Sequence, residues 1–475
     1  MSTIRLRGGL LQTPNGGFEA DVLISGDRIT ALLATDDPTG ADTDIDVRGK
    51  WVLPGLIDLH AHVRVPGYEY KEDYRTASMA AARGGYTLFV DMPNVEPPTT
   101  TVELFEQKKA IASADSLIDY GHFVAPTDIE EIPKFAKAGV SGFKIFQVSG
   151  GYPHDPRLSI DDPAQLLDTF AAIAETGLLC VVHPCTQSLL ERLYKREMDT
   201  NGVPDMCAWS DIYTADVVWR TAVATLLELQ RETGVRLQVV HTHAPGSLRL
   251  LKQAKLEGVG VTVACDPKYF HLDDQDLEDQ GPRALPGGTI TSDPVKMRTI
   301  WDSVDQGVID LFDSDHAPHT LQDLESMHSD PLTGAWGSPQ YDNLLALLLT
   351  DVKKGDIRLA RLISMLTEVP AKLLGLYPER GVILPNSYAD ICVVDPEGVM
   401  IPSDEDVYTK AGWTPYKGRK LLGVPILTIL RGQIIAKDGK IVGDPEYGQY
   451  VTAKPLDWDT VVPHSHQGIS LKPRI

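Results

Sequence analysis

Cysteine is scarce in this chain: five residues in 475, Cys180, Cys185, Cys207, Cys265 and Cys392, an odd number with no paired C-x-x-C spacing. A disulfide-stapled secreted scaffold is thereby excluded, and free thiols in a reducing compartment are expected. Positive charge is also short, with Lys+Arg 44 against Asp+Glu 66 and a formal net charge of −22. That imbalance favours solubility and works against non-specific binding to nucleic acid or to an anionic membrane surface. Long apolar runs are missing, so no segment reads as membrane-spanning. Met1–Gly17 also lacks the basic stretch and apolar core of a secretory signal. These absences leave a cytoplasmic protein working on small molecules. What is present is ordinary for a soluble enzyme: 43% hydrophobic and 23% charged residues, in a length that suits one large domain plus a smaller one.

Both ends of the chain read as short strands with tight turns. Ile4–Arg7, Asp21–Ile24 and Arg28–Leu32 open the sequence, and Ala389–Asp395, Pro425–Ile434 and Ile441–Val442 repeat the texture near its close. The middle alternates apolar strands with helical stretches. Strands are expected at Val52–Leu59, Tyr86–Met92, Tyr120–Val124, Gly142–Phe146, Leu178–His183, Leu237–His241, Val261–Cys265 and Val308–Asp313. Helices are expected at Tyr74–Arg83, Val102–Ala112, Pro163–Glu175, Tyr213–Glu232 and Ser247–Lys255. This pattern predicts an α/β fold: a (β/α)8 TIM barrel at 54–385, a small composite β-domain from 1–53 plus 386–445, and a C-terminal tail at 446–475. A doubly wound open sheet is the competing architecture, but no glycine-rich nucleotide fingerprint follows an early strand.

The stretch Trp51 to Arg64 reads W-V-L-P-G-L-I-D-L-H-A-H-V-R. An apolar strand runs into His60, His62 and Arg64 at alternate positions, which a strand turns to one face. Two neutral imidazoles side by side make half of a metal site, because zinc and its relatives take nitrogen ligands at about 2 Å. Asp58 shares that parity as a neighbouring ligand or an orienting group. Taken alone, two histidines on a solvated turn would look the same. The other strand ends break the tie, since barrels place their chemistry there. They carry Asp91 with Asn94, then Lys144, His183, His241 with His243, and Asp313-Ser-Asp315 followed by His319. Four histidines, one lysine and one aspartate thus converge from five strands. Lys144 lies inside the apolar run G-F-K-I-F, where burial lowers a lysine's pKa and frees its neutral amine. Such an amine takes up carbon dioxide as a carbamate, in effect a bridging carboxylate that two divalent cations can share. The plainer alternative is a strand-end lysine in an ion pair.

The motifs V-L-P-G-L-I-D-L-H-A-H-V-R, G-G-Y-T-L-F-V-D-M-P-N, G-F-K-I-F, V-V-H and D-S-D-H-A-P-H, in this order, resemble those of the cyclic amidohydrolases: dihydroorotase, allantoinase, hydantoinase and dihydropyrimidinase. The late G-V-I-L-P-N-S-Y-A-D-I-C-V-V-D resembles that family's return into its β-domain. The likeness covers most of residues 1–445 and is closest in motifs to dihydroorotase. It implies a TIM barrel beside a composite β-sandwich, assembled as a homodimer or homotetramer. It implies two divalent metal ions, commonly zinc, with His60, His62 and Asp315 on one, His183 and His241 on the other, and carboxylated Lys144 between them. The reaction implied is hydrolysis of a cyclic amide or ureide by a metal-bridging hydroxide, with Asp315 taking the water proton and passing it to the leaving nitrogen.

Arg64, Asn94 and His319 match the positions by which dihydroorotases hold a substrate carboxylate, which a guanidinium can grip bidentately. An Arg64 that pairs with Asp58 or Glu69 is the alternative. Ser149 stands where hydantoinases and dihydropyrimidinases resemble one another in a tyrosine, with Tyr152 nearby but out of register. Other departures are Val65 for a glutamate, His183-Pro-Cys-Thr for His-Ala-Glu, and Lys268, a possible further anion-binding group, for a histidine. His243 is an extra histidine beside the site. The expectation is a small cyclic substrate carrying a carboxylate, dihydroorotate first. Allantoin or a hydantoin comes next, and a catalytically inactive scaffold is the reading of another class.

Overall fold

The computed structural model describes residues 2–150, 155–285, 293–328 and 336–455. Eight strands lie side by side in sequence order: Leu56–Ala61, Tyr86–Asp91, Asp119–Val124, Gly142–Phe146, Leu179–His183, Arg236–Val239, Val261–Cys265 and Leu311–Phe312. Every pairing between neighbours is parallel. Seven of the eight are buried at each position, as strands covered on both faces must be, and only Arg236 of the sixth is partly exposed. The ring closes through side chains and a single bridge: Ala61 pairs with His316, the His62 amide donates to His316 O at 2.8 Å, and the Ser314 amide donates to Asp58 Oδ1 at 2.9 Å. This is the barrel the strand pattern predicts.

The crossover helices follow local signals. Asp162 caps Pro163–Thr176 by accepting from the Ala164 and Gln165 amides, proline fills the first turn, and Gly177 at φ 70° ends it. Asp73 caps Tyr74–Arg83 in the same way through Thr76.

Several boundaries differ from the sequence pattern; in the barrel the sixth strand ends at Val239 rather than His241, and three others shift further. Val52–Leu59 is two strands, because the chain passes from one sheet to the other at Gly55. Trp51–Pro54 joins the second sheet and Leu56–Ala61 opens the barrel. The Thr87 side chain leaves no room for a Cβ at that crossing. The helix expected at Tyr213–Glu232 begins at Asp216, since Tyr213 closes a preceding short helix, Met206–Tyr213. The eighth strand starts at Leu311 rather than Val308, because the Val308 and Ile309 amides donate to Ser303 O and finish the helix before it.

Among the described residues, the second sheet has nine strands from both ends of the chain. Along its main path Lys440–Ile441, Gln433–Lys437, Leu421–Leu430 and Ile391–Met400 lead to Trp51–Pro54, Thr3–Thr13, Gly16–Ser25 and Arg28–Leu33. It has its own apolar core, in which Leu6, Val22 and Ile29 meet Ile391, Val393 and Ile429. The stretch Pro425–Ile434, read as one strand, turns at Arg431–Gly432 into Gln433–Lys437. At the start of the expected tail, Tyr450 bridges Tyr120 and the Lys454 amide donates to Leu374 O, so 446–455 lies along the barrel. The rest of that tail, 456–475, is outside the described residues. Among the described residues, no helix is long and apolar enough to cross a membrane.

Candidate metal centre

The strand-end side chains do meet. One cavity at the carboxyl end of the barrel is lined by His60, His62, Arg64, Asn94, His183, His241 and Asp315, with Phe146, Tyr213, Tyr269 and Trp336 as its walls. Imidazole centroids run in a chain, 5.2 Å from His60 to His62, 4.7 Å from His60 to His241 and 4.6 Å from His241 to His183. Asp315 Oδ1 lies 3.2 Å from His62 Nε2 and 3.6 Å from His60 Nε2. One donor atom each from His60, His241 and Asp315 falls within 4.8 Å of the others.

Alternation along a strand does not produce this convergence. The first barrel strand ends at Ala61, so His62 and Arg64 lie beyond it. Arg64, His241 and Asp315 all adopt positive φ, at 71°, 54° and 41°. That left-handed backbone costs an L-residue roughly 1–2 kcal/mol, and here it turns each side chain off its strand and over the barrel mouth.

Three of the four imidazoles have a support. Asn94 Oδ1 lies 2.8 Å from His62 Nδ1, Asp266 Oδ2 lies 2.7 Å from His241 Nδ1, and the Tyr213 hydroxyl lies 3.0 Å from His183 Nε2. Asp58 is an orienting group and not a ligand. It accepts from the Ser314 amide at 2.9 Å, the Ser314 hydroxyl at 2.5 Å and the Tyr341 hydroxyl at 2.7 Å, pinning the eighth strand end to the first.

Burial dominates the electrostatics. It takes His62 down to about 4 and His60 well below the ordinary imidazole range, so both rings are neutral and available as lone-pair donors. Burial alone would raise Asp315, but Lys268, His62 and the other histidines hold it well below the usual carboxylate range. Asp313 goes the other way, pushed well up by burial and by Asp58 and Asp266. Lys144 is wholly buried under the cavity, its pKa lowered to about 8 by burial against the pull of Asp315, Asp313 and Asp266. Its Nζ and both ring nitrogens of His60 make no hydrogen bond among the described residues. Buried polar atoms are rarely left so, and when several face one another they mark a place for an ion or ligand.

Arg64 is fully buried, its Nε donating to Pro318 O at 3.1 Å and its Nη2 lying 3.0 Å from His319 Nε2. His319 stands behind it, with Nδ1 3.0 Å from Lys71 Nζ and Nε2 3.1 Å from Trp336 O. Asn94 and Arg64 therefore face the cavity directly, while His319 is in contact with Arg64. His243 is buried between Trp219 and Tyr269, with Nδ1 donating to His241 O at 2.8 Å. Tyr152 lies outside the described residues.

The amidohydrolase family profile matches residues 51–435. The chain belongs to the amidohydrolase family. An L-hydantoinase of Paenarthrobacter aurescens is 30% identical, covering 94% of this chain and 96% of its own. A dihydroorotase of Lactobacillus leichmannii is 29% identical over 91% and 98%, and an allantoinase of Deinococcus radiodurans 31% over 93% and 96%. The solved L-hydantoinase (dihydropyrimidinase) from Arthrobacter aurescens superposes with a TM-score of 0.90 at 29% identity, covering 95% of this chain and all of the other. Relatives of three substrate types stand at nearly equal distance. The reaction class expected from the motifs, hydrolysis of carbon–nitrogen bonds in cyclic amides, is common to them, and the ring is not singled out.

Several residues of this amidohydrolase site escape a reading of strand ends for histidine. Asp266 immediately follows the seventh strand and had the right address. Tyr213 and Trp336 arrive from segments between strands, where no local pattern marks them.

Proposed function

We propose that this amidohydrolase opens a cyclic amide or ureide by hydrolysis at a pair of divalent cations, zinc being the expected element. His60, His62 and Asp315 would hold one, His183 and His241 the other, and a carbamate on Lys144 would lie between them. The observation that carries this reading is the buried set of His60 nitrogens and Lys144 Nζ, none of them hydrogen-bonded among the described residues, with His60 Nε2 3.6 Å from Asp315 Oδ1 and the charge of Asp315 acting on Lys144. Neutral imidazoles and carboxylates are the donors that such cations select, so the residues present fit the group. Bound there, the cations supply Lewis-acid polarisation of the ring carbonyl and a water of lowered pKa.

The remaining chemistry belongs to the chain's own residues. Asp315, kept ionised and aimed by Oδ1 between two imidazoles, is placed to take the proton of the attacking water. It then delivers that proton to the ring nitrogen as the carbon–nitrogen bond opens. Asn94, Asp266 and Tyr213 hold their histidines in orientation, as outer partners of ligating imidazoles do. Arg64, buried in the wall beside His62, supports a substrate bearing a carboxylate. In this reading the enzyme works as a cytoplasmic homodimer or homotetramer.

A second reading of the ring rests on its own observation. Next to the catalytic cavity, and sharing Tyr213 and Trp336 with it, lies an apolar pocket lined by Val148, Leu190, Tyr194 and Trp209. A hydantoin with a bulky apolar substituent would place that group there. Metal analysis of the purified protein and ring-opening assays with dihydroorotate, allantoin and substituted hydantoins test both readings. About two zinc-type ions per chain and turnover of one ring class are expected. A chain that takes up no metal and opens none of these rings would sink the proposal.

A further inference from the structure

Lys268 is assigned no part in the reaction above, yet it is one of the most buried cations in the molecule, at 1% exposure. It sits in the short turn Pro267–Phe270 after the seventh strand, where the Tyr269 amide donates to Asp266 O at 3.1 Å. Its ammonium donates to Asp315 Oδ2 and lies 3.3 Å from Asp266 Oδ2. Asp266 Oδ2 is also the oxygen beside His241 Nδ1. One cation is thus shared by the aspartate expected to move protons and by the aspartate that orients a histidine on the far side of the site.

From this geometry we propose that Lys268 is a positioning residue for Asp315, a role that rests on the metal-hydrolase reading. By occupying Oδ2, the ammonium divides the carboxylate: Oδ1 alone is turned toward His60 and His62. Ser314 and His316 tie the backbone on either side of Asp315 to the first strand, but those bonds do not fix which way the Asp315 carboxylate is turned. Lys268 supplies the hold from the neighbouring strand end, and through Asp266 it keeps Asp315 in register with His241. A carboxylate free to rotate would offer both oxygens to a cation and lose the single orientation in which it takes and returns a proton. The sequence suggests Lys268 as a further group for a substrate anion; its ammonium faces two buried carboxylates, which favours the positioning role.

The test compares wild type with Lys268→Met and Lys268→Arg, reading metal content, melting temperature, kcat and KM on the ring the wild type opens. For Lys268→Met, positioning predicts about two metals per chain, because a like charge has been removed from beside the cations. It also predicts a kcat lowered roughly 10- to 100-fold, with KM within a factor of about three. Lys268→Arg, which keeps the charge, should recover part of kcat. A raised KM at normal kcat would make Lys268 a substrate contact and overturn the proposal. Metal content and melting temperature falling together with kcat in both variants would make it a structural residue, and unchanged kinetics would leave it no role. Should Lys268→Met fail to fold with its acids unpaired, Lys268→Gln retains a donor and carries the same expectations. A wild type that neither loads metal nor opens a ring would instead refute the parent reading, so the two failures are distinguishable.

Discussion

Lys144→Arg is the most demanding substitution this site allows. Burial lowers the Lys144 pKa to about 8, against an ordinary 10.5. At pH 7 roughly one such amine in ten is neutral, compared with on the order of one in 3,000 for a lysine in water. Only the neutral amine attacks carbon dioxide, so the fold raises the reactive fraction about 300-fold. The sign of the pH dependence follows. At fixed dissolved carbon dioxide, the initial rate of carbamate formation on the metal-stripped protein should rise about tenfold per pH unit below 8 and level off above it, where the amine is already neutral; the proton released on forming the carbamate makes its equilibrium amount rise further with pH. Arginine never supplies a neutral nitrogen, and alanine supplies none at all.

Stripping the protein with a chelator and reloading it with zinc in 13C-labelled bicarbonate reads all of this at once. Wild type should show a protein-bound carbamate signal, about two metals per chain and recovered turnover. Lys144→Arg and Lys144→Ala should show no carbamate, and loss of a shared ligand should lower turnover by more than about 100-fold. Short carboxylic acids should partly restore the alanine variant, which leaves room for them, and not the arginine variant. Full metal content and full turnover in Lys144→Arg, or reloading indifferent to pH, would refute the carbamate.

Three further outcomes are expected. Arg64→Met should raise KM about 10- to 100-fold for a carboxylated ring, the value of a charge-assisted hydrogen bond at roughly 1.5–3 kcal/mol, and leave an uncharged ring unaffected; equal effects on both would remove the carboxylate preference. Trp209→Ala takes a wall from the apolar pocket and should weaken turnover of aryl-substituted hydantoins selectively, by about 1.5–3 kcal/mol in kcat/KM; an unchanged ratio to the unsubstituted ring would show that no substituent enters. Asp91→Ala breaks the buried pair with Lys108, 2.8 Å long, and removes the acceptor of the Val63 amide between the two loop residues His62 and Arg64. Chemical denaturation should register about 3–5 kcal/mol of lost stability, and a loss under 1 kcal/mol would mean that the pair contributes little.

The barrel was legible because a parallel sheet buried on both faces forces its strands into short apolar runs, and chemistry at the strand ends interrupts those runs with polar residues. Each of His183, His241 and Lys144 is visible as such an interruption. The boundaries at Gly55 and Tyr213 were not, since a change of sheet or a break between two helices leaves apolar composition intact. Arg64 illustrates a different gap. Its spacing from His60 and His62 suggested the right face for the wrong reason, because the strand stops at Ala61 and a left-handed turn brings the guanidinium back to the cavity. Spacing reports the repeat of regular structure, whereas this site is built just beyond it.

The same limit explains Lys268 and Asp266. A charged residue after a strand can face solvent, a substrate or another charge, and local sequence carries no sign of which. Only the opposing side chain decides, and here that side chain, Asp315, comes from 47 residues further along the chain. Charges placed at this mouth are therefore interpretable only as a set. His60 and His62 are neutral because they are buried beside Lys144 and Arg64, and Asp315 is ionised because Lys268 faces it. An apolar replacement at any one of these positions changes the others, so double variants such as Lys268→Met with Asp266→Asn should depart from additivity, as neighbouring charges in one network do.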